Sequence, residues 1–126
     1  MTCLLDTHFL IWIIRKSRRL RNYPWLNQYE PWGVSPFSLL EIQLLSEAGR
    51  IPVRNPQFEE TVMSDTRFEV DEVSLVAVIQ KALPFAWTRD PFDRLLAAHS
   101  QLRRVPLCTV DSTLLDYHKS IVVELR

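Results

Sequence analysis

The chain has 126 residues, 47% apolar and 24% charged, which suits one soluble domain (1–126) with one sizeable core. Fifteen basic residues balance fifteen acidic ones, so no bulk charge draws the protein to a polyanion, and any nucleic-acid contact must come from a local patch. Asp6 and His8 interrupt the apolar N-terminus and no apolar run is long enough to span a bilayer, so neither export nor membrane insertion is expected, and the expected location is cytoplasmic.

Cys3 to Leu5 reads as a short buried strand ending at Asp6, and Thr7 can cap a nearly all-apolar helix from Phe9 to Ile14. The segment Arg15 to Arg21 carries five basic residues. A second helix is expected from Leu20 to Tyr29, weakened by Pro24, and Pro31 to Val34 is the next strand. Ser35-Pro36 combines a cap with a first-turn proline, opening a helix to Ala48 that stops at Gly49. Phe37, Leu40, Leu44, Leu45 and Ala48 mark its expected buried face. Asn55-Pro56 opens a helix to about Ser64. Phe68 to Val73 alternates like an edge strand, and Ser74 to Leu83 is helical. Asp90-Pro91 repeats the cap-plus-proline signal for a helix to about Arg104, with Phe92, Leu95, Leu96 and Leu102 as its apolar stripe. Pro106 to Val110 is a strand ending at Asp111, Ser112 to His118 a short helix, and Ile121 to Leu125 a last strand.

Strands alternate with helices from end to end, so the expected fold class is α/β, a central parallel sheet of about five strands with helices on both faces. Gly33 and Gly49 leave no phosphate-cradling loop, hence no nucleotide cofactor. Cys3 and Cys108 make no disulfide framework and are expected as buried thiols.

Sites in such sheets form at the carboxyl ends of the strands. Asp6 and Asp111 stand there, and Asp93 lies in the first turn of the Asp90 helix. Each has a plain alternative as a helix cap or, for Asp93, as an acid supporting the cap. Glu41 is harder to explain that way. It sits within the expected buried face of its helix, and no Lys or Arg lies in helical reach. A buried carboxylate has to be paired from elsewhere, protonated or bound to a cation. Several converging acids repel one another, and oxygen-ligated Mg²⁺ or Mn²⁺ removes that conflict while activating water beside a phosphodiester.

Four segments, Leu4-Leu-Asp-Thr-His8, Ser35-Pro-Phe-Ser-Leu-Leu-Glu-Ile42, Arg89-Asp-Pro-Phe-Asp-Arg-Leu-Leu-Ala-Ala98 and Thr109-Val-Asp111, resemble the PIN domain in this order, most closely its VapC-like toxins. The resemblance implies a three-layer α/β/α fold and a Mg²⁺- or Mn²⁺-dependent endoribonuclease, the toxin of a toxin–antitoxin pair. It implies catalytic acids at Asp6, Glu41, Asp93 and Asp111. Asp6 and Asp93 would be the firmest metal ligands, with Asp111 binding a second metal or orienting water and Glu41 ordering the metal shell. Asp90 would be a cap and a neighbour of the site. Thr7, Ser38 and Thr109 would be polar neighbours of the acids, and Arg94 a contact to the substrate strand or a balance to the acids. The expected partners are RNA, a small antitoxin and a second copy of the chain. Some members carry a further acid soon after the fourth, and here the nearest is Asp116.

Other readings remain beside this one. The fold could serve as a binding or regulatory protein without catalysis, or as an RNA-processing or flap-type nuclease. Phosphate-monoester or aspartyl-phosphate chemistry fits poorly, because no second Asp stands two residues after Asp6. The basic run from Arg15 reads as a solvated face or a phosphate contact. The three histidines share no ligand spacing, and the four tryptophans read as core or interface fillers.

Overall fold

Four short parallel strands form the centre of the computed structural model, which describes residues 1–126. In chain order they are β1 (Leu4–Leu5), β2 (Trp32–Val34), β3 (Phe68–Val70) and β4 (Leu107–Cys108), and in space they lie β3-β2-β1-β4. The helices are α1 (Thr7–Ile14), α2 (Pro36–Glu47), α3 (Gln57–Ser64), α4 (Leu75–Ala82), α5 (Pro91–Arg103) and α6 (Ser112–Tyr117). β1 pairs with both β2 and β4, in the register Leu4 to Gly33 and Leu4 to Leu107.

Because side chains alternate across a strand, β1 and β4 each feed two cores, while the buried side chains of β2 and β3 join the larger one. Leu5 and Cys108 face a large cluster with Phe9, Leu10 and Ile13 of α1, Ile42 of α2, and Phe58 and Val62 of α3. Leu4 and Leu107 face the other side, against Leu96 and Ala97 of α5 and Leu114 of α6. α4 lies on α5 through Val78, Ala82 and Ala98. Helices therefore cover both faces of the sheet, as expected from the alternation of strands and helices.

The departures have local causes. The expected helix from Leu20 to Tyr29 is two 3₁₀ turns, Arg18–Asn22 and Leu26–Tyr29, interrupted at Pro24, which cannot donate a helical hydrogen bond. The expected last strand is a single parallel bridge from Ile121 to Leu107 followed by a 3₁₀ turn at Val123–Leu125, so the sheet has four strands rather than five. α1 is capped by Asp6, not Thr7: the Asp6 side chain accepts from the His8 and Phe9 amides. α2 turns Ser38 and Ile42 inward and leaves Leu40 and Leu44 exposed, so its buried face is rotated from the expected one. Leu102 at the end of α5 is also exposed. Gly49 does end α2, in the left-handed region at φ 69° that a residue with a Cβ adopts at a cost. Cys3 and Cys108 are free and buried.

Candidate active site

The acids reach one place because four helices begin or pass there. Asp6 directly follows β1, and its backbone N–H continues the ladder to the Cys108 carbonyl at 3.0 Å. Its Oδ1 accepts from the amides of His8 (2.8 Å) and Phe9 (3.3 Å), and its Oδ2 from the Thr109 hydroxyl at 2.6 Å. Thr7 directs its hydroxyl to Glu41, so a residue on α1 supplies the partner that α2 itself lacks. Asp90 caps α5 by accepting from the Phe92 and Asp93 amides at 2.8 and 3.2 Å. Asp111 caps α6 through the Leu114 amide at 3.0 Å, while its own amide donates to Thr109 at 3.0 Å. The Thr109 hydroxyl thus ties the first and fourth acids together.

Asp6, Glu41, Asp90, Asp93 and Asp111 line one cavity of about 110 Å³ with Thr7, His8 and Leu96. No lysine or arginine is in its wall. The electrostatic consequence is clearest at Asp93, a half-buried side chain for which the structure shows no hydrogen bond or ion pair. Burial, then the charges of Asp90, Asp111, Glu41 and Asp6, push its carboxyl up to about 7. Burial also raises Glu41, against the Thr7 hydrogen bond and with the help of Asp90 and Asp6. Asp6 is raised by burial despite its hydrogen bond from Thr109. Asp93 is therefore not acting as a cap support, since Asp90 alone does the capping.

The donor set fits a hard divalent cation. It is all oxygen, mostly carboxylate, and its members disfavour one another's ionisation when no cation is near. No three His, Cys, Asp or Glu side chains are drawn together as a ready metal cluster, because Asp6 and Asp111 spend an oxygen each on helix caps and Glu41 is turned to Thr7. The unpartnered Asp93 is the freest of the acids to turn toward an ion.

The other predicted residues divide. Thr109 stands behind Asp6 without lining the cavity. Ser38 is buried beneath α2 and lines no part of it. Arg94 points elsewhere: its Nε donates to the Thr88 carbonyl at 2.7 Å, and it borders a separate apolar pocket with Leu83 and Leu95. Asp116 is exposed on α6 and outside the cavity. His8, read from its nearness to Asp6 as either a structural residue or a substrate contact, is exposed and lines the cavity beside the acids. Its position two residues after Asp6 at a helix start is the signal that points to it.

Residues 3–119 match the family model described as PIN domain. A chain of a solved "Toxin-antitoxin complex from Klebsiella pneumoniae" superposes with a TM-score of 0.67, covering 96% of each chain at 18% identity. At that identity the likeness speaks for the fold. No curated protein matches the sequence.

Proposed function

The chain belongs to the PIN domain family, and we propose that it is a metal-dependent endoribonuclease, the toxin of a toxin–antitoxin pair. The observation that carries this is the cavity of five carboxylates with no cation in its wall. Asp6, Asp93 and Asp111 are the proposed ligands of Mg²⁺ or Mn²⁺, with Glu41 and its Thr7 partner ordering the water beside them. Bound there, the metal supplies charge neutralisation and lowers the pKa of a coordinated water. The chain's own part is to hold the carboxylates at fixed places: Thr109 orients Asp6, Asp90 fixes the start of the helix that carries Asp93, and His8 stands at the rim. A small antitoxin and a second copy of the chain complete the reading, supported by the toxin–antitoxin neighbour and by the exposed apolar side chains Leu75, Val76 and Ile79 of α4 and Leu83 directly after it. No helix is long and apolar enough to cross a membrane, and we place the protein in the cytoplasm.

The test is cleavage of total bacterial RNA by purified protein, free of any co-purified partner, in Mn²⁺ or Mg²⁺ against EDTA, with Asp6→Asn alongside. Metal-dependent cuts at a few discrete positions, lost in the variant, are the expected result. Equal cutting by the variant would remove Asp6 from the site, and no cutting in any metal would leave a binding protein.

A further inference from the structure

The acid cavity has a difficulty as an RNA site: its carboxylates repel the phosphates they must receive. Attraction has to come from nearby. α1 leads from the cavity to such a place. Asp6 caps its first turn and Arg15 its last, about 14 Å apart at the helical rise. His8, Ile11, Trp12 and Arg15 follow at the spacing that puts them on one side of this helix. They line a second cavity of about 460 Å³, closed on its other sides by residues that include Arg19 and Arg50. His8 lines both cavities, so the two adjoin.

The second cavity has the opposite charge from the first. Arg15, Arg19 and Arg50 face it, and no acidic residue does. None of the three is in an ion pair, whereas Arg67 and Arg103 are held by Asp65 and Asp71. Arg19 lies over the Trp12 ring at 5.3 Å, which fixes its guanidinium against the groove wall. A chain with no net charge has thus left three guanidinium groups unpaired beside its acid site.

We propose that this groove binds the single-stranded RNA that runs from the acid cavity past His8, with Arg15, Arg19 and Arg50 on successive phosphates and the Trp12–Arg19 stack as a platform for a base. The planar guanidinium fork suits phosphate, and a sequence-tolerant strand is held by basic groups alternating with stacking surfaces. An acidic segment of a partner protein would also satisfy the arginines, but it would not explain why the groove opens into carboxylates. The proposal rests on the nuclease reading for the strand's path.

The experiment compares wild type with the combined variant Arg15→Gln, Arg19→Gln, Arg50→Gln, whose side chains are exposed and whose folding is checked by thermal melting. Binding of a fluorescein-labelled single-stranded RNA of random sequence is followed in EDTA from 50 to 200 mM salt. Loss of three phosphate contacts should flatten the slope of log affinity against log salt by about 2, so that wild type loses about 16-fold more affinity than the variant over that range. In Mn²⁺, cleavage by the variant should suffer in KM rather than in kcat. Equal slopes in a wild type that cleaves RNA would overturn the groove and leave the nuclease standing. Different slopes in a wild type that never cleaves would support the groove and remove the nuclease. Equal slopes with a weakened hold on an acidic protein partner would make the groove a protein interface and overturn the proposal.

Discussion

The carboxyl edge of the sheet consists of two polar halves on one plan. Asp6 and Thr109 directly follow the neighbouring strands β1 and β4, and Ser35 and Asp71 directly follow β2 and β3. In each half an aspartate continues the ladder through its amide at 3.0 Å, Asp6 to Cys108 and Asp71 to Val34. α5 serves both, with Asp93 in its first turn and His99 farther along. The chemistry is opposite. Asp71 accepts from Arg103 at 2.7 and 3.0 Å and bonds His99 at 2.8 Å, and these partners, against the effect of its burial, hold its carboxyl below the usual range. His99 bonds Ser35 through its other nitrogen at 3.0 Å. Ser35, His99 and Asp71 have the order of a hydrolase triad, but Ser35 is 0% exposed and its hydroxyl caps α2, so no substrate reaches it. Topology puts polar groups along the whole edge. Only the balance of donors and acceptors separates a saturated cluster that fixes the fold from an unsaturated one that awaits a ligand.

Substitutions on α5 should separate the halves most strongly. Asp93→Asn should cut metal-dependent cleavage by more than about 100-fold, the range that loss of even an indirect metal contact reaches. It should leave the metal-free protein at least as stable, because a mutually repelled carboxylate that makes no hydrogen bond is removed. His99→Ala should do the reverse. It strands Ser35 and opens a hole in a buried network, at a cost of about 3 kcal/mol, while molecules that stay folded keep most of their cleavage. Denaturant titration beside an RNA cleavage assay reads both. Asp93→Asn unfolding the protein, or His99→Ala abolishing cleavage at full stability, would break the division.

The two kinds of cluster should also respond oppositely to pH. His118 belongs to the saturated kind: its Nε2 bonds Ser100, the residue after His99, and burial with the nearby Arg126 charge pushes it down to about 4. Between pH 4 and 6.5 an unfolded imidazole carries a proton that the folded one refuses, so His118 makes stability rise with pH, by up to about 3 kcal/mol across that window. His99, lowered by burial, acts in the same direction. Asp93 opposes them. From about pH 4 to about 7 its folded carboxyl keeps a proton that the unfolded chain has lost, so stability falls as pH rises. In EDTA, Asp93→Asn should steepen the rise of unfolding free energy with pH, and His118→Gln should flatten or invert it. Matching profiles for the two variants would contradict the contrast.

What was legible in the sequence follows from how local each signal is. The strand-end aspartates, the Asp-Pro and Ser-Pro helix starts and the acid without a basic partner in helical reach on α2, Glu41, are written within a few residues, and they point to the cavity's five carboxylates. Thr7 as the partner of Glu41 is a contact between helices, which no helical spacing contains. The Ser35–His99–Asp71 cluster joins residues 64 and 28 positions apart, so each member read singly as a cap, a loose histidine or an edge-strand acid. The rotation of α2 has a similar cause. With Phe37, Leu39, Leu40, Ile42, Leu44 and Leu45 spread around it, no one stripe dominates, and the sheet beneath selects Ile42. Charge beside an acidic turn suggests a place for Arg94 at the site, while in the structure the Thr88 carbonyl six residues back claims the side chain.

The smallest expected effect concerns Asp90, which has one role in each kind of cluster: it caps α5 as a satisfied acceptor, and its charge is the first among those raising Asp93. Asp90→Ser should separate these roles. Serine accepts from the same amides, so stability should change by no more than about 0.5 kcal/mol. The lost charge should bring the Asp93 carboxyl below about 7, read by NMR titration of its side-chain carbon in the metal-free protein, and should widen the pH range in which metal binds without competition from a proton. If Asp93 titrates as before, burial alone sets its proton affinity, and the crowding of charge in the cavity is weaker than the contrast with Asp71 requires.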